Sequence, residues 1–229
     1  MSKKSAAENT DPIIDVQEVY SKTETFVEKN KKIITIVVLA AIVVIGGYFG
    51  YKKLIIAPLE VEAQADMFMA EKYFEKDSLQ LAINGDGLHS GFIDIIDDYS
   101  GTQTANLAHY YLGICYRNTG EYEMAIEELE SFSSNDVMVS AIAIGSIGDC
   151  YMELGDVDKA ISYYEKAAAH NTNNLTTPVY LFKAGLACED NQDYAAAVQK
   201  YTSIKNDYPD SREAQTIEKY IARAESLIQ

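Results

Sequence analysis

The chain has no tryptophan, only three cysteines and only four prolines among its 229 residues. Three cysteines cannot staple a small secreted fold, and one is left over in any pairing. Four prolines and 13 glycines exclude collagen-like and flexible-linker compositions. Basic residues are scarce too: 19 Lys and Arg stand against 35 Asp and Glu, a net charge of −16. Such a chain has no basic face for phosphates, so nucleic acid is not an expected partner. Catalytic signatures are missing as well: no G-x-S-x-G, Walker lysine, H-E-x-x-H or G-x-G-x-x-G occurs. His89, His109 and His170 share no metal-ligand spacing with Cys or carboxylates. No cofactor, metal or enzymatic activity is expected.

What the chain does have is one uncharged run. Residues 33–51, IITIVVLAAIVVIGGYFGY, carry no charge over nineteen positions. As a helix this run is about 28 Å long at ~1.5 Å per residue, close to the ~30 Å hydrocarbon core of a bilayer. Lys29, Lys31 and Lys32 precede it and Lys52 and Lys53 follow, whereas a buried core helix would need partners on every face. A cleaved signal peptide would have a shorter apolar region nearer the N-terminus. An uncleaved anchor is therefore expected. Lys22, Lys29, Lys31 and Lys32 on one side against Lys52 and Lys53 on the other place residues 1–32 in the cytoplasm and the rest outside. From Leu54 onward 11 Lys and Arg face 29 Asp and Glu, so anionic headgroups would repel this part. Unpaired thiols argue mildly the other way, being less common outside the cytoplasm. Gly46 and Gly50 form a G-x-x-x-G pair, a face on which another helix can pack.

The remainder repeats. Gly113, Gly148 and Gly185 are 35 and 37 residues apart. Tyr116, Tyr151 and Cys188 follow them by three; Ala125, Ala160 and Ala197 by twelve; Leu129, Tyr164 and Tyr201 by sixteen. Gly120, Gly155 and Gln192, each followed by Glu or Asp, mark a turn that also caps the next helix. The small residue lets two antiparallel helices approach, and the Ala is the matching contact. No unit can bury its apolar face alone, so copies must stack. The pattern resembles the tetratricopeptide repeat, with its period of ~34 residues. The resemblance implies an all-α solenoid over residues 58–229, with repeats at about 105–135, 140–171 and 177–208, closed by Pro209. A degenerate copy, about 60–100, keeps Ala70, Tyr73 and Ala82 at the same offsets, with an insertion at residues 84–90, NGDGLHS. That loop lacks the carboxylates of a calcium site and reads as a Gly-rich turn. Thr177-Pro178 starts a helix. Ser211 caps a closing helix, 211–228, with Ile217, Tyr220, Ile221, Ala224 and Leu227 on one face. Cys115, Cys150 and Cys188 sit inside apolar helices and read as inert buried thiols.

In such a stack the first helix of each repeat lines a concave groove. The expected lining is Tyr110, Ile114, Arg117 and Asn118, then Asp149, Met152 and Glu153, then Phe182, Leu186, Glu189 and Asp190. Tyr110, Ile114, Phe182 and Leu186 would form an exposed apolar floor with acidic edges, suited to extended apolar or basic peptides. Tyr110, Ile114 and Ser146 stand where tail-binding repeat proteins carry a carboxylate clamp, which speaks against acidic C-terminal tails.

The layout as a whole, VYSKTETFVEKNKK before one span closing in GGYFGYKK and then the repeats, resembles the bacterial inner-membrane tetratricopeptide repeat family that includes the ancillary subunit of the SecYEG translocon. That resemblance implies a periplasmic adaptor touching the SecYEG translocon, periplasmic chaperones or client chains. A scaffold subunit of an envelope complex, without a client, is the other expectation.

Overall fold

The structure, a computed structural model, describes residues 16–228, with side chains from residue 27 onward. Residues 1–15 of the expected cytoplasmic segment lie outside the described residues. The chain divides into two compact units, residues 1–55 and 56–229.

In the first unit, α1 (Val16–Tyr51) holds the uncharged run, and a π-helical turn (Lys52–Ile56) follows it. The helix is long and apolar enough to cross a membrane, and its most apolar stretch is not buried against protein. At Gly46, Gly47 and Gly50 an added Cβ would meet nothing within 4 Å.

The second unit is all helix among the described residues. It runs α2 (Ala57–Glu75), α3 (Leu79–Asn84), α4 (Phe92–Asp98), α5 (Gln103–Thr119), α6 (Tyr122–Ser131), α7 (Val137–Glu153), α8 (Val157–Ala169), α9 (Thr177–Asp190), α10 (Tyr194–Asp207), a 3-10 turn (Glu213–Thr216) and α11 (Ile217–Glu225). The pairs α5/α6, α7/α8 and α9/α10 are antiparallel hairpins, each packed on the next.

The sixteen-residue spacing is a physical contact. A Cβ on Gly113 would lie 2.6 Å from Leu129, one on Gly148 2.7 Å from the Tyr164 ring and one on Gly185 2.3 Å from the Tyr201 ring. Only hydrogen fits there. Ala125, Ala160 and Ala197 are fully buried on the opposite helix. The turn positions Gly120, Gly155 and Gln192 all have positive φ (+90°, +76° and +61°). Asp156 and Asp193 then cap α8 and α10, accepting from the Lys159 and Ala196 amides at 3.3 and 3.0 Å. Glu121 does not cap α6: its longer side chain accepts the Thr119 hydroxyl at 2.9 Å instead.

The degenerate copy is built differently. Ala70 and Ala82 are buried, but its second helix, α3, has only six residues. The inserted loop is tied to Asp86, whose carboxylate accepts from the Leu88 and His89 amides (2.8 and 2.7 Å) and the Tyr73 hydroxyl (2.6 Å). Its oxygens are thus engaged by the loop itself. Phe92 and Ile95 of α4 fill the core that a longer α3 would have filled.

The closing helix is shorter than the expected 211–228. Ser211 accepts from the Ala214 amide at 3.2 Å, but the first turn is 3-10 and α11 ends at Glu225. Ile217 and Ala224 are buried and Tyr220 and Ile221 half-buried, whereas Leu227 lies past the helix end and is exposed.

Candidate functional site: the inner face of the stack

The first helices touch one another, α2 with α5 and α5 with α7, so they line the inner face. The expected apolar floor is not one surface. Ile114 is 7% exposed and sits in the core with Ala143 and Ile147 of the next repeat. Tyr110 is half-buried, its ring 5.3 Å from Phe132 and 5.6 Å from Tyr111. Phe182 is covered from the C-terminal side, edge-on to Tyr220 at 4.7 Å. Of the four, only Leu186 is exposed, at 38%. The cause is the tight stacking of successive hairpins, which closes the next repeat over the upper half of each first helix. Met152 is half-buried beside the Ala160–Ala184 core, and Asn118, Glu153 and Asp190 are open to solvent.

The charged residues of this face are brought together, but mainly with each other. Arg117 donates to the Ser146 hydroxyl at 2.9 Å and lies 3.3 Å from Asp149. A further 3.2 Å contact joins Arg117 to Asn118. Asp149 also binds Lys183 at 2.7 Å and accepts the Tyr164 hydroxyl at 2.7 Å. Glu189 accepts from Tyr201 at 2.7 Å and from Arg223 of α11 at 2.8 Å. The inner face therefore carries two groups of paired charges, Arg117–Asp149–Lys183 across the repeats and Glu189–Arg223 at the cap. Burial, reinforced by Asp149, raises the Tyr164 hydroxyl pKa well above its ordinary value; burial and Glu189 do the same at Tyr201. Lys183 and Arg223 escaped the sequence reading. Their signal was opposite charge at the repeat period: Arg117 to Asp149 is 32 residues, Asp149 to Lys183 and Glu189 to Arg223 are 34.

An open cavity of about 1010 Å³ lies where the degenerate copy meets the first repeat. Its lining includes Glu60, Gln64 and Glu71 of α2, Asn106 and Leu107 of α5, and the segment 131–135; no Lys or Arg lines it among the described residues. Glu60 accepts from the Gln103 amide (2.6 Å) and the Thr104 hydroxyl (2.7 Å), placing a carboxylate on the N-terminus of α5. Burial alone would raise the Glu60 pKa, but the hydrogen bonds from Thr104, Gln103 and Gln64 outweigh it and leave it lowered. Asn106 fixes the rim through the Ser133 amide (3.0 Å) and carbonyl (2.8 Å), and His109 Nδ1 lies 2.6 Å from Glu128. This acidic cavity was invisible to the repeat pattern because α2 supplies much of it with residues that have no counterpart at the period.

Catalytic chemistry has no foothold at the thiols. Burial pushes the Cys115 thiol up to about 12 and the Cys150 and Cys188 thiols up to about 11. Among the described residues no group of His, Cys, Asp and Glu could hold a metal ion.

Tetratricopeptide repeat profiles match residues 107–136, 141–174 and 180–211. Two crystal structures of Podosopora anserina putative kinesin light chain nearly identical TPR-like repeats, one a Q17M form, are similar to this chain. Each is 15% identical, covers 73% of this chain and 87% of its own, and superposes with a TM-score of 0.55. No curated protein sequence matches. The chain therefore carries three tetratricopeptide repeats in an all-α TPR-like solenoid, an architecture of protein-binding adaptors and scaffolds rather than of enzymes.

Proposed function

We propose that the protein is a single-pass adaptor of the inner membrane, its N-terminus cytoplasmic, which presents its repeats on the extracytoplasmic side and holds segments of other proteins there. The observation that carries this reading is, among the described residues, one long apolar helix whose most apolar stretch no protein covers, followed by a solenoid of tetratricopeptide repeats. The four-to-two lysine bias supports the orientation, and the strongly acidic repeats would stand off anionic headgroups. The resemblance of the membrane-proximal stretch supports a place beside the SecYEG translocon and periplasmic chaperones. On the inner face, the acidic cavity between α2 and α5 replaces the apolar floor as the seat of binding. Its carboxylates and Leu107 suit an extended segment with a basic side chain.

Two measurements test this. Alkaline phosphatase fused to the C-terminus should be active; an inactive phosphatase with a bright cytoplasmic reporter at the same site reverses the topology. Partners recovered from gently solubilised membranes should be lost on Glu71→Lys with Gln64→Arg, at unchanged helix content. Retained partners would favour the scaffold reading, which has its own support in inner-face charges spent on one another.

A further inference from the structure

We infer that the outer face of α2 is an open stacking surface that docks an amphipathic helix of another protein, one whose apolar stripe is flanked by Lys or Arg. The inference rests on the exposed Val61–Phe68 stripe; Gln64 and Glu71 on one of its borders also line the acidic cavity, so the two readings are separated by changing Val61 and Phe68 alone.

The argument starts from the repeat register. Counted from the small residue of each copy (Ala70, Gly113, Gly148 and Gly185), Ala65 of α2 is equivalent to Ala108, Ala143 and Tyr180, all 6% exposed or less. Phe68 is equivalent to Tyr111, Ser146 and Lys183, half-buried or buried, and Lys72 to Cys115, Cys150 and Ala187, at most 1% exposed. In the full repeats these positions are covered because each first helix receives the preceding hairpin: α4 lies on α5, α6 on α7 and α8 on α9. α2 contacts α3, α4 and α5, all of which follow it. Among the described residues nothing covers its equivalent face: Val61 is 68% exposed and Phe68 55%, and Ala65 is exposed between them. Val61, Ala65 and Phe68 are spaced i, i+4, i+7, a single stripe along one helix face. The opposite end of the stack is finished differently, for α11 buries Ile217 and Ala224 and leaves Glu218, Lys219 and Glu225 outside. One end is closed with a polar cap and the other is not.

Charge selects the occupant. On the helical wheel the stripe has Glu62 along one side and Gln64, Glu71 and Glu75 along the other, while Asp66 lies further round and accepts the Tyr99 hydroxyl. The one cation on it, Lys72, is held by Glu75 at 2.6 Å and lies 5.7 Å above the Phe68 ring. A second copy would bring the same acidic borders into register, and like charges across an interface oppose it. A helix with basic flanks would satisfy both borders while its apolar stripe covers Val61 and Phe68, as a preceding hairpin covers the later repeats.

The absence of tryptophan makes Phe68→Trp a lone reporter in the full chain, purified in nanodiscs. Two synthetic peptides of about five helical turns, with one Leu/Ala stripe and either Lys or Glu flanks, are titrated against it. The expected result is a blue shift with the Lys-flanked peptide, at an affinity at least tenfold above that for the Glu-flanked one. Adding Val61→Glu should weaken this binding at least tenfold with unchanged circular dichroism and melting temperature, since Val61 is exposed. Equal binding of both peptides, no binding, or binding indifferent to Val61→Glu overturns the inference. So does a blue emission before any peptide is added, which makes lipid the occupant, or a dimer that Val61→Glu dissolves, which makes it a second copy.

Discussion

The two halves of the repeat domain are held together by different means. In repeats two and three, a glycine on the first helix receives a tyrosine ring from the second, and the same small-against-large fit recurs after 37 residues. In the degenerate copy an apolar core around Phe92 and Ile95 is joined by polar contacts that do not recur: Glu60 on the N-terminus of α5, the Tyr99 hydroxyl on Asp66 at 2.5 Å and the Tyr73 hydroxyl on Asp86. Packing that recurs leaves a period in the sequence, whereas polar stitches between unlike elements leave none. The full repeats should therefore fail through shape and the degenerate copy through protonation.

The largest effect is expected from shape. Gly185→Leu or Ala160→Leu forces a side chain into a space where even a Cβ collides or where the residue is wholly buried. Overpacking of this kind costs about 1–3 kcal/mol, about 2–4 °C of melting temperature per kcal/mol for a domain of this size. Calorimetry that finds either variant unchanged would break the register on which the comparison rests.

That register and the turns were legible in the sequence because each rests on one residue type at one position, hydrogen at Gly113 and positive φ at Gly155; of the closing helix only its presence was legible, since its 3-10 first turn and its end at Glu225 have no such marker. Ile114 was misread because its burial depends on how tightly α7 closes over α5, which spacing alone does not encode. The acidic cavity and the Glu60 contact were missed because they join residues 43 apart, outside the period, through a backbone amide that any residue supplies.

Next in size is Asp149→Ala, which strips Arg117, Lys183 and the Tyr164 hydroxyl of their shared partner. Hydrogen bonds to charged groups are worth about 1.5–3 kcal/mol each when removed. Partial exposure of this site reduces that, and a loss of about 1–2 kcal/mol in urea unfolding is expected. Asp149→Asn should recover part of it by keeping an acceptor for Tyr164. Equal losses for the two variants would show that charge alone matters here.

The acid arm separates the halves. Asp86 is lowered well below the carboxylate range, chiefly by the Tyr73 hydroxyl and then by the Leu88 and His89 amides, and Glu60 is lowered too. A lowered carboxyl stabilises fully above its unfolded value and loses that contribution as pH falls through its folded one. Tyr164 and Tyr201 are raised, so their contribution is full below the unfolded tyrosine value, about 10, and is lost as pH climbs past it. Hydrogen exchange should show the 85–91 loop and the start of α5 opening first in acid, whereas in alkali α7–α10 loosen together with the Tyr73 and Tyr99 contacts, whose hydroxyls are raised as well. Simultaneous opening of both halves in acid would erase the distinction.

The smallest effect lies at the turns. Gln192 holds a φ of +61° where its counterparts are glycines. A left-handed residue with a Cβ is strained by about 1–2 kcal/mol, offset by the roughly 0.5–1 kcal/mol of chain entropy glycine adds to the unfolded state. Gln192→Gly should raise the melting temperature by a degree or so, and Gly155→Ala should lower it slightly more. A loss on Gln192→Gly would mean the glutamine side chain makes a contact that compensates its strain.

The three thiols stand at nearly the same place in successive repeats, all buried and all with their ionisation pushed far above neutral pH. Thiolate, not thiol, is what oxidants, disulfide-exchange catalysts and soft metals attack. The three cysteines are consequently poor partners for thiol–disulfide exchange, and the odd cysteine count carries little risk of a stray crosslink while the repeats stay folded.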